Sequence, residues 1–212
     1  MKVIAINGSP RAKGNTYQSL AIMGEEFAKQ GVEFEILHVG HKAIHGCIGC
    51  GKCAEAKNEK CPTFPNDIVN EAVPKMKEAD GIILASPVYY SGVAGTMKCF
   101  IDRAFYVGGV NGGLFKHKIG TSVSAQRRTG GSATLDCLNH YFTISEMPIA
   151  SSTYWNAMHG MNPGEVSQDE EGVQTLVNLA KNMVWLMKMR ETTREIVPTP
   201  DSVKAVRTNF VR

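Results

Sequence analysis

The 212-residue chain has no uninterrupted run of eighteen apolar residues, so nothing in it reads as a membrane-spanning helix. It opens directly on Val3-Ile4-Ala5-Ile6 and lacks the apolar stretch and small-residue cleavage site of a secretory signal. A cytoplasmic location is the resulting expectation. Lys and Arg number 23 against 20 Asp and Glu, a net charge of +3, and no basic run forms a stripe that would follow a nucleic-acid backbone. No Pro/Gly/Ser linker and no internal repeat divides the chain, which argues for one domain. Neither a Ser/His/Asp arrangement nor a carboxylate pair has the spacing of a hydrolytic site. The 43% apolar and 20% charged residues are ordinary for a globular domain and too rich in apolar groups for disorder.

Two kinds of segment alternate along the chain. Short β-branched runs at 2–7, 33–38, 81–86 and 119–124 suit strands buried on both faces, as in a parallel sheet. Amphipathic patterns at 16–30, 67–78, 96–106, 132–141 and 168–189 suit helices between them. This alternation predicts a doubly wound α/β sheet with right-handed crossovers. In such a sheet ligands bind beyond the carboxyl ends of the strands, where strand order reverses. Two segments exceed the minimal pattern: a cysteine-rich insertion at 41–65 and a nonperiodic tail. The predicted organisation is therefore a ligand-binding domain over 1–190 and a tail over 191–212 suited to oligomer contacts.

The loop after the first strand reads Asn7-Gly8-Ser9-Pro10-Arg11-Ala12-Lys13-Gly14-Asn15-Thr16 and runs straight into a helix. Glycines permit tight turns, the helix start offers unpaired N–H groups, and the small polar side chains add donors, a combination suited to phosphate. It is not a Walker A loop, because Asn-Thr follows Gly14 where that loop needs Lys-Ser/Thr. The Gly-x-Gly-x-x-Gly fingerprint of dinucleotide sites is absent here as well. A plain N-capped βα turn is the competing structural reading.

The Gly-Ser-Pro-Arg-x-x-Gly-Asn-Thr loop resembles that of the flavodoxin-fold NAD(P)H-dependent FMN reductases, including the iron–sulfur flavoproteins. The resemblance continues through Ser86-Pro87-Val88-Tyr89-Tyr90-Ser91-Gly92, Lys98 and Asp102-Arg103. It implies a five-stranded parallel sheet of order 2-1-3-4-5, with helices on both faces. It also implies that Ser9, Arg11, Gly14, Asn15 and Thr16 hold the FMN 5′-phosphate, and that Pro87, Val88, Tyr89, Tyr90, Ser91 and Gly92 border the flavin ring. Ser124, Ala125, Gln126, Arg127 and Gly130, in the loop after the fourth strand, would lie along the pyrimidine edge. Arg128 shares that loop, and Tyr154-Trp155-Asn156 is expected to line the same pocket, often across a subunit boundary in this kind of fold, with a core position competing for Trp155.

Four of the six cysteines are clustered as Cys47-x2-Cys50-x2-Cys53-x7-Cys61. Three thiols at this spacing can wrap one compact group, and a fourth can return to complete it. Three readings remain open: a [4Fe–4S] cluster, metal-free redox thiols, and zinc with His41 or His45. Cys99 and Cys137 fall inside predicted helices and read as core residues.

The resemblance implies a flavoenzyme in which NADH or NADPH reduces FMN and electrons pass to a flavin, a quinone, another small molecule or a redox protein. An electron carrier without nicotinamide activity, and a metal-binding regulatory module, are the other classes. Assembly as a homodimer or homotetramer is a further expectation, with no nucleic-acid or membrane partner.

Overall fold

A computed structural model describes residues 1–203, 206 and 208. The remaining positions of the expected tail, 204, 205, 207 and 209–212, lie outside the described residues. Among the described residues there are six strands: β1 (Lys2–Asn7), β2 (Glu33–His38), β3 (Gly81–Tyr89), β4 (Gly92–Val93), β5 (Ile119–Gln126) and β6 (Ala157–His159). The helices are α1 (Asn15–Lys29), α2 (Lys52–Ala56), α3 (Ile68–Glu78), α4 (Gly95–Val110), α5 (Gly131–Ile144) and α6 (Glu170–Thr193). A single 3-10 turn, Glu165–Gln168, precedes α6.

The main sheet runs β2-β1-β3-β5-β6, all parallel, and β4 pairs antiparallel with the end of β3. Counting parallel strands alone, this is the expected order 2-1-3-4-5. The antiparallel β4 is the addition.

Alternation along β1 assigns its side chains to opposite layers. Ile4 and Ile6 pack with Val69, Val73, Phe100 and Ala104 of α3 and α4, whereas Val3 and Ala5 pack with Leu20, Met23, Leu179 and Met183 of α1 and α6. Residues Val3–Ile6 are wholly buried. Such two-sided burial explains why β1 reads as a continuous apolar run.

Several boundaries differ from the sequence expectation. β3 continues to Tyr89 because Val88 and Tyr89 pair with Val93 and Gly92 across a two-residue loop. Tyr90 and Ser91, which form that loop, both have positive φ (48° and 59°), as a type I′ hairpin requires. α6 starts at Glu170, where the Asp169 side chain accepts a hydrogen bond from Gly172 N–H (3.0 Å), and runs through Thr193. It thus crosses the expected boundary at 190. The cysteine insertion, read as a loop, contains the short helix α2. Among the described residues no helix is long and apolar enough to cross a membrane.

Candidate flavin cleft and cysteine cavity

The β1–α1 loop is fixed from beneath by its own polar groups. Buried Asn7 accepts a hydrogen bond through Oδ1 from Ser9 N–H (3.0 Å), and Ser9 Oγ accepts one from Arg11 N–H (3.2 Å). His38 Nε2 lies 2.7 Å from the Ser9 carbonyl oxygen, tying the loop to the end of β2. Gly40 packs so closely that a Cβ there would lie 2.2 Å from that same oxygen. The start of α1 has glycine at its cap position and no side-chain cap, leaving its first N–H groups for another acceptor.

Ser9, Arg11, Gly14, Asn15, Thr16, Pro87, Val88, Tyr89, Ala125, Gln126 and Arg127 line one cleft of about 190 Å³, together with Gly160 and Met161. Three strand ends therefore converge: those of β1, β3 and β5. The lining holds two arginines and no carboxylate, which favours a dianionic phosphate. Buried Gln126 positions its side chain through a 2.9 Å contact between Nε2 and His159 Nε2, yet its buried Oε1 has no protein partner. That acceptor suits a ring N–H, so the residues present fit a phosphorylated flavin at both ends of the cleft.

The other expected site residues stand around this cleft without lining it. Ser124 is wholly buried, and its Oγ has no protein partner. Tyr90 is fully exposed at the hairpin tip, flanked by exposed Ser91 and half-buried Gly92. Gly130 has φ of 95°, and a Cβ on it would come within 2.8 Å of Ser91 Cα and Val88 Cγ1. Glycine at this position lets the β5–α5 loop rest against the hairpin. Arg128 is exposed.

Within one chain the expectation for Tyr154-Trp155-Asn156 is not met. These residues line a separate cavity of about 670 Å³ beside β5, with Ser122, Asp136 and Asn139. They precede β6, whereas the cleft is reached by Gly160 and Met161, which follow it. Trp155 is 65% exposed, so its core reading also fails. Gly160 and Met161 were missed because three-residue β6 gives little strand signal; the rule that ligands sit after strand ends would have found them.

All four clustered cysteines line a second, small cavity, about 20 Å³, with Phe64, Arg103, Tyr106 and Val107. Cys47 and Cys50 are exposed, Cys61 is half-buried and Cys53 is buried. Thr63 Oγ1 lies 3.1 Å from Cys50 Sγ, and this hydrogen bond is the main cause holding the Cys50 thiol below its ordinary pKa. Burial pushes Cys53 the other way. Among the described residues, no three His, Cys, Asp or Glu side chains are placed to hold one metal ion. His41 instead stacks on His38 (4.1 Å between centroids), and His45 stacks on Phe64 (4.5 Å). Cys99 and Cys137 are on helices as expected, but half-buried, so their core reading is only partly met.

Arg103 closes the base of the insertion. It is 2% exposed and pairs with Asp67, the capping residue of α3, while donating to the carbonyls of His45 (3.3 Å) and Phe64 (3.4 Å). One turn earlier on α4, Lys98 donates to Asp102 (2.6 Å), which also accepts from the Tyr141 hydroxyl. Burial, with that bond to Asp102, pushes the Tyr141 pKa up to about 12.

A flavin cleft at the switch point of a doubly wound sheet defines a class of flavodoxin-like proteins. Residues 1–162 match the NADPH-dependent FMN reductase family, and the chain belongs to it. It is an FMN-binding flavoprotein of that family. An iron–sulfur flavoprotein of Methanocaldococcus jannaschii is 36% identical over 196 residues, covering 89% of this chain and 98% of that protein. One from Archaeoglobus fulgidus is 30% identical over 206 residues, covering 92% and 100%. Among solved structures, RosB with bound 8-demethyl-8-formylriboflavin-5′-phosphate superposes with a TM-score of 0.66 at 14% identity, covering 100% of this chain and 92% of RosB. A WrbA-like flavodoxin of Agrobacterium tumefaciens superposes at 0.60 and 12% identity, covering 89% and 97%. These structural likenesses concern the fold.

A Gly40→Ala variant drives a methyl group into the Ser9 backbone, which cannot yield as a flexible side chain would. We expect FMN affinity to fall about tenfold or more, roughly 1.4 kcal/mol, measured by fluorescence quenching. Gly109→Ala, where nothing lies within 4 Å of the added Cβ, leaves affinity unchanged. Equal affinity in both variants would refute the role of this close approach.

Proposed function

We propose that this protein takes electrons from NADH or NADPH onto FMN. It then passes them to a small acceptor, such as a flavin or quinone, or to a redox protein, with a [4Fe–4S] cluster on Cys47, Cys50, Cys53 and Cys61 as the one-electron carrier. The observation that carries this reading is the convergence of the four cysteines on one cavity, apart from the flavin cleft. Four thiols on one insertion, lining one common space, are the donor set that a [4Fe–4S] cluster takes. The relatives' name, iron–sulfur flavoprotein, supports the same reading.

Bound FMN supplies hydride acceptance and electron transfer, and a cluster supplies single-electron transfer. The chain's own residues bind and orient. Ser9, Thr16 and the first N–H groups of α1 hold the phosphate, with Arg11 adding charge at the exposed mouth. Val88 and Tyr89 form the wall contributed by β3, and Gln126 Oε1 offers an acceptor to the ring's polar edge. Arg127, at the exposed edge of the cleft, is placed to meet negative charge on reduced flavin or on the nicotinamide donor. Helix α4 links the two sites: from its start at Gly95 beside the β3–β4 hairpin, Arg103 is about 12 Å along the axis.

The protein is proposed to act in the cytoplasm as a homodimer or homotetramer. Tyr90 and Met161 are exposed apolar groups near the carboxyl ends of the strands, and Tyr154 and Trp155 are exposed beside β5, the kind of surface that assembly covers. A monomeric mass by light scattering would contradict the assembly.

Anaerobic addition of NADH or NADPH to the yellow protein should bleach flavin absorbance within the time of turnover. Persistent absorbance with both donors would overturn the nicotinamide-dependent reading and favour a carrier reduced by protein partners.

A further inference from the structure

Arg103 carries five N–H donors, as every arginine does. Four of them are directed at protein oxygens: Nη1 serves His45 O and Asp67 Oδ2, and Nη2 serves Phe64 O and Asp67 Oδ1. The fifth, Nε–H, is buried and meets no protein atom at hydrogen-bond geometry, while the Cys61 thiol is near enough to interact with the guanidinium. A buried, unmatched donor on a cation is costly, because its desolvation is not repaid by a hydrogen bond. The ring of Phe64 covers one face of the guanidinium at 4.7 Å, and Arg103 lines the cavity bordered by all four clustered cysteines.

Securing the loop accounts for the Nη groups and for the pairing with Asp67. It leaves unexplained a planar cation with one spare donor beside four sulfur ligands. We propose that Arg103 is a positioning residue for the cluster, donating its Nε–H to a sulfur of the group held by Cys47, Cys50, Cys53 and Cys61 and raising that group's reduction potential. The inference rests on the cluster reading given above.

Its physical basis is differential charge stabilisation. A cluster bound by four thiolates gains one negative charge on reduction, and hydrogen bonds to its sulfurs together with nearby charge set its potential. A buried cation favours the more negative, reduced form, and burial keeps that interaction from being screened. Lys52 and Lys60, elsewhere in the insertion, are exposed and surrounded by screening solvent. Asp67 opposes Arg103, because its carboxylate offsets part of the cation's field at the cavity.

The test uses the whole protein, purified anaerobically with its flavin and reconstituted with iron and sulfide. Iron content, the spectrum of the reduced cluster by electron paramagnetic resonance, and the cluster midpoint potential are measured for wild type, Arg103→Gln, Arg103→Lys and Asp67→Asn. We expect Arg103→Gln to bind a full complement of iron and to shift about tenfold toward the oxidised cluster at fixed poise, about 60 mV downward for one electron. Arg103→Lys should shift in the same direction but less, since it keeps the charge and loses the fixed donor.

Asp67→Asn should shift upward, because it leaves the cation and removes its counter-charge. Loss of packing alone gives no reason for shifts of opposite sign in partners of one ion pair. If Arg103→Gln fails to fold, the other two variants carry the test. A wild-type potential in both arginine variants, or a downward shift in Asp67→Asn, would overturn the assignment. A reconstituted wild-type protein without iron would instead overturn the cluster reading on which it rests.

Discussion

Strand β1 has a parallel partner on each side, β2 and β3, and its central residues are wholly buried between two helical layers. With both edges paired and both faces covered, the chain leaving β1 has its free space beyond the carboxyl end. There the connections diverge, one toward β2 and the other toward β3. That divergence opens the crevice in which the Asn7–Thr16 loop stands. The remaining features of the cleft depend on it: His38 and Gly40, at the end of β2, hold the loop from one side, and Pro87–Tyr89 of β3 face it from the other. Asn7 links the two levels by giving its backbone oxygen to Val39 and Gly40 and its side-chain oxygen to Ser9.

The cysteine insertion is secured by different means. Much of it is irregular, with only the short α2 inside, so no ladder of backbone bonds holds it. Its ends are held by side chains instead. Arg103 bonds the carbonyls of His45 and Phe64, which flank the four cysteines in sequence, and Asn70 Nδ2 donates to Cys61 O (3.1 Å) and Pro65 O (3.1 Å). Asn70 also accepts a 2.7 Å bond from Cys61 N–H. Both anchors stand on helices packed against the sheet. The four thiols are thus presented from a rigid support.

The fold and the loop after β1 that lines the cleft were legible in the sequence for a common reason: both rest on local patterns. Continuous β-branched runs mark strands buried on both faces, and glycines with small donors before a helix mark an anion cradle. What escaped depends on tertiary contact. Tyr90 and Ser91 at positive φ gave no glycine to announce a tight hairpin, so β4 was hidden. Tyr154 and Trp155 drew attention as aromatics near a strand, although the chain places them along the β5 edge and gives the cleft to Gly160 and Met161. In the sequence, Arg103 belongs to the family resemblance but carries no assigned role. Only its burial against Asp67 and Phe64 and the count of its donors show that it belongs to the cysteine cavity.

If the β1–α1 loop is a phosphate cradle, flavin enters this chain as a phosphate ester. Titrating flavin-free protein with FMN and with riboflavin, under one buffer and salt condition, tests this most directly. Several charge-assisted hydrogen bonds, each worth about 1.5–3 kcal/mol, should make FMN bind at least about a hundredfold more tightly than riboflavin. Equal affinity for the two would contradict the account.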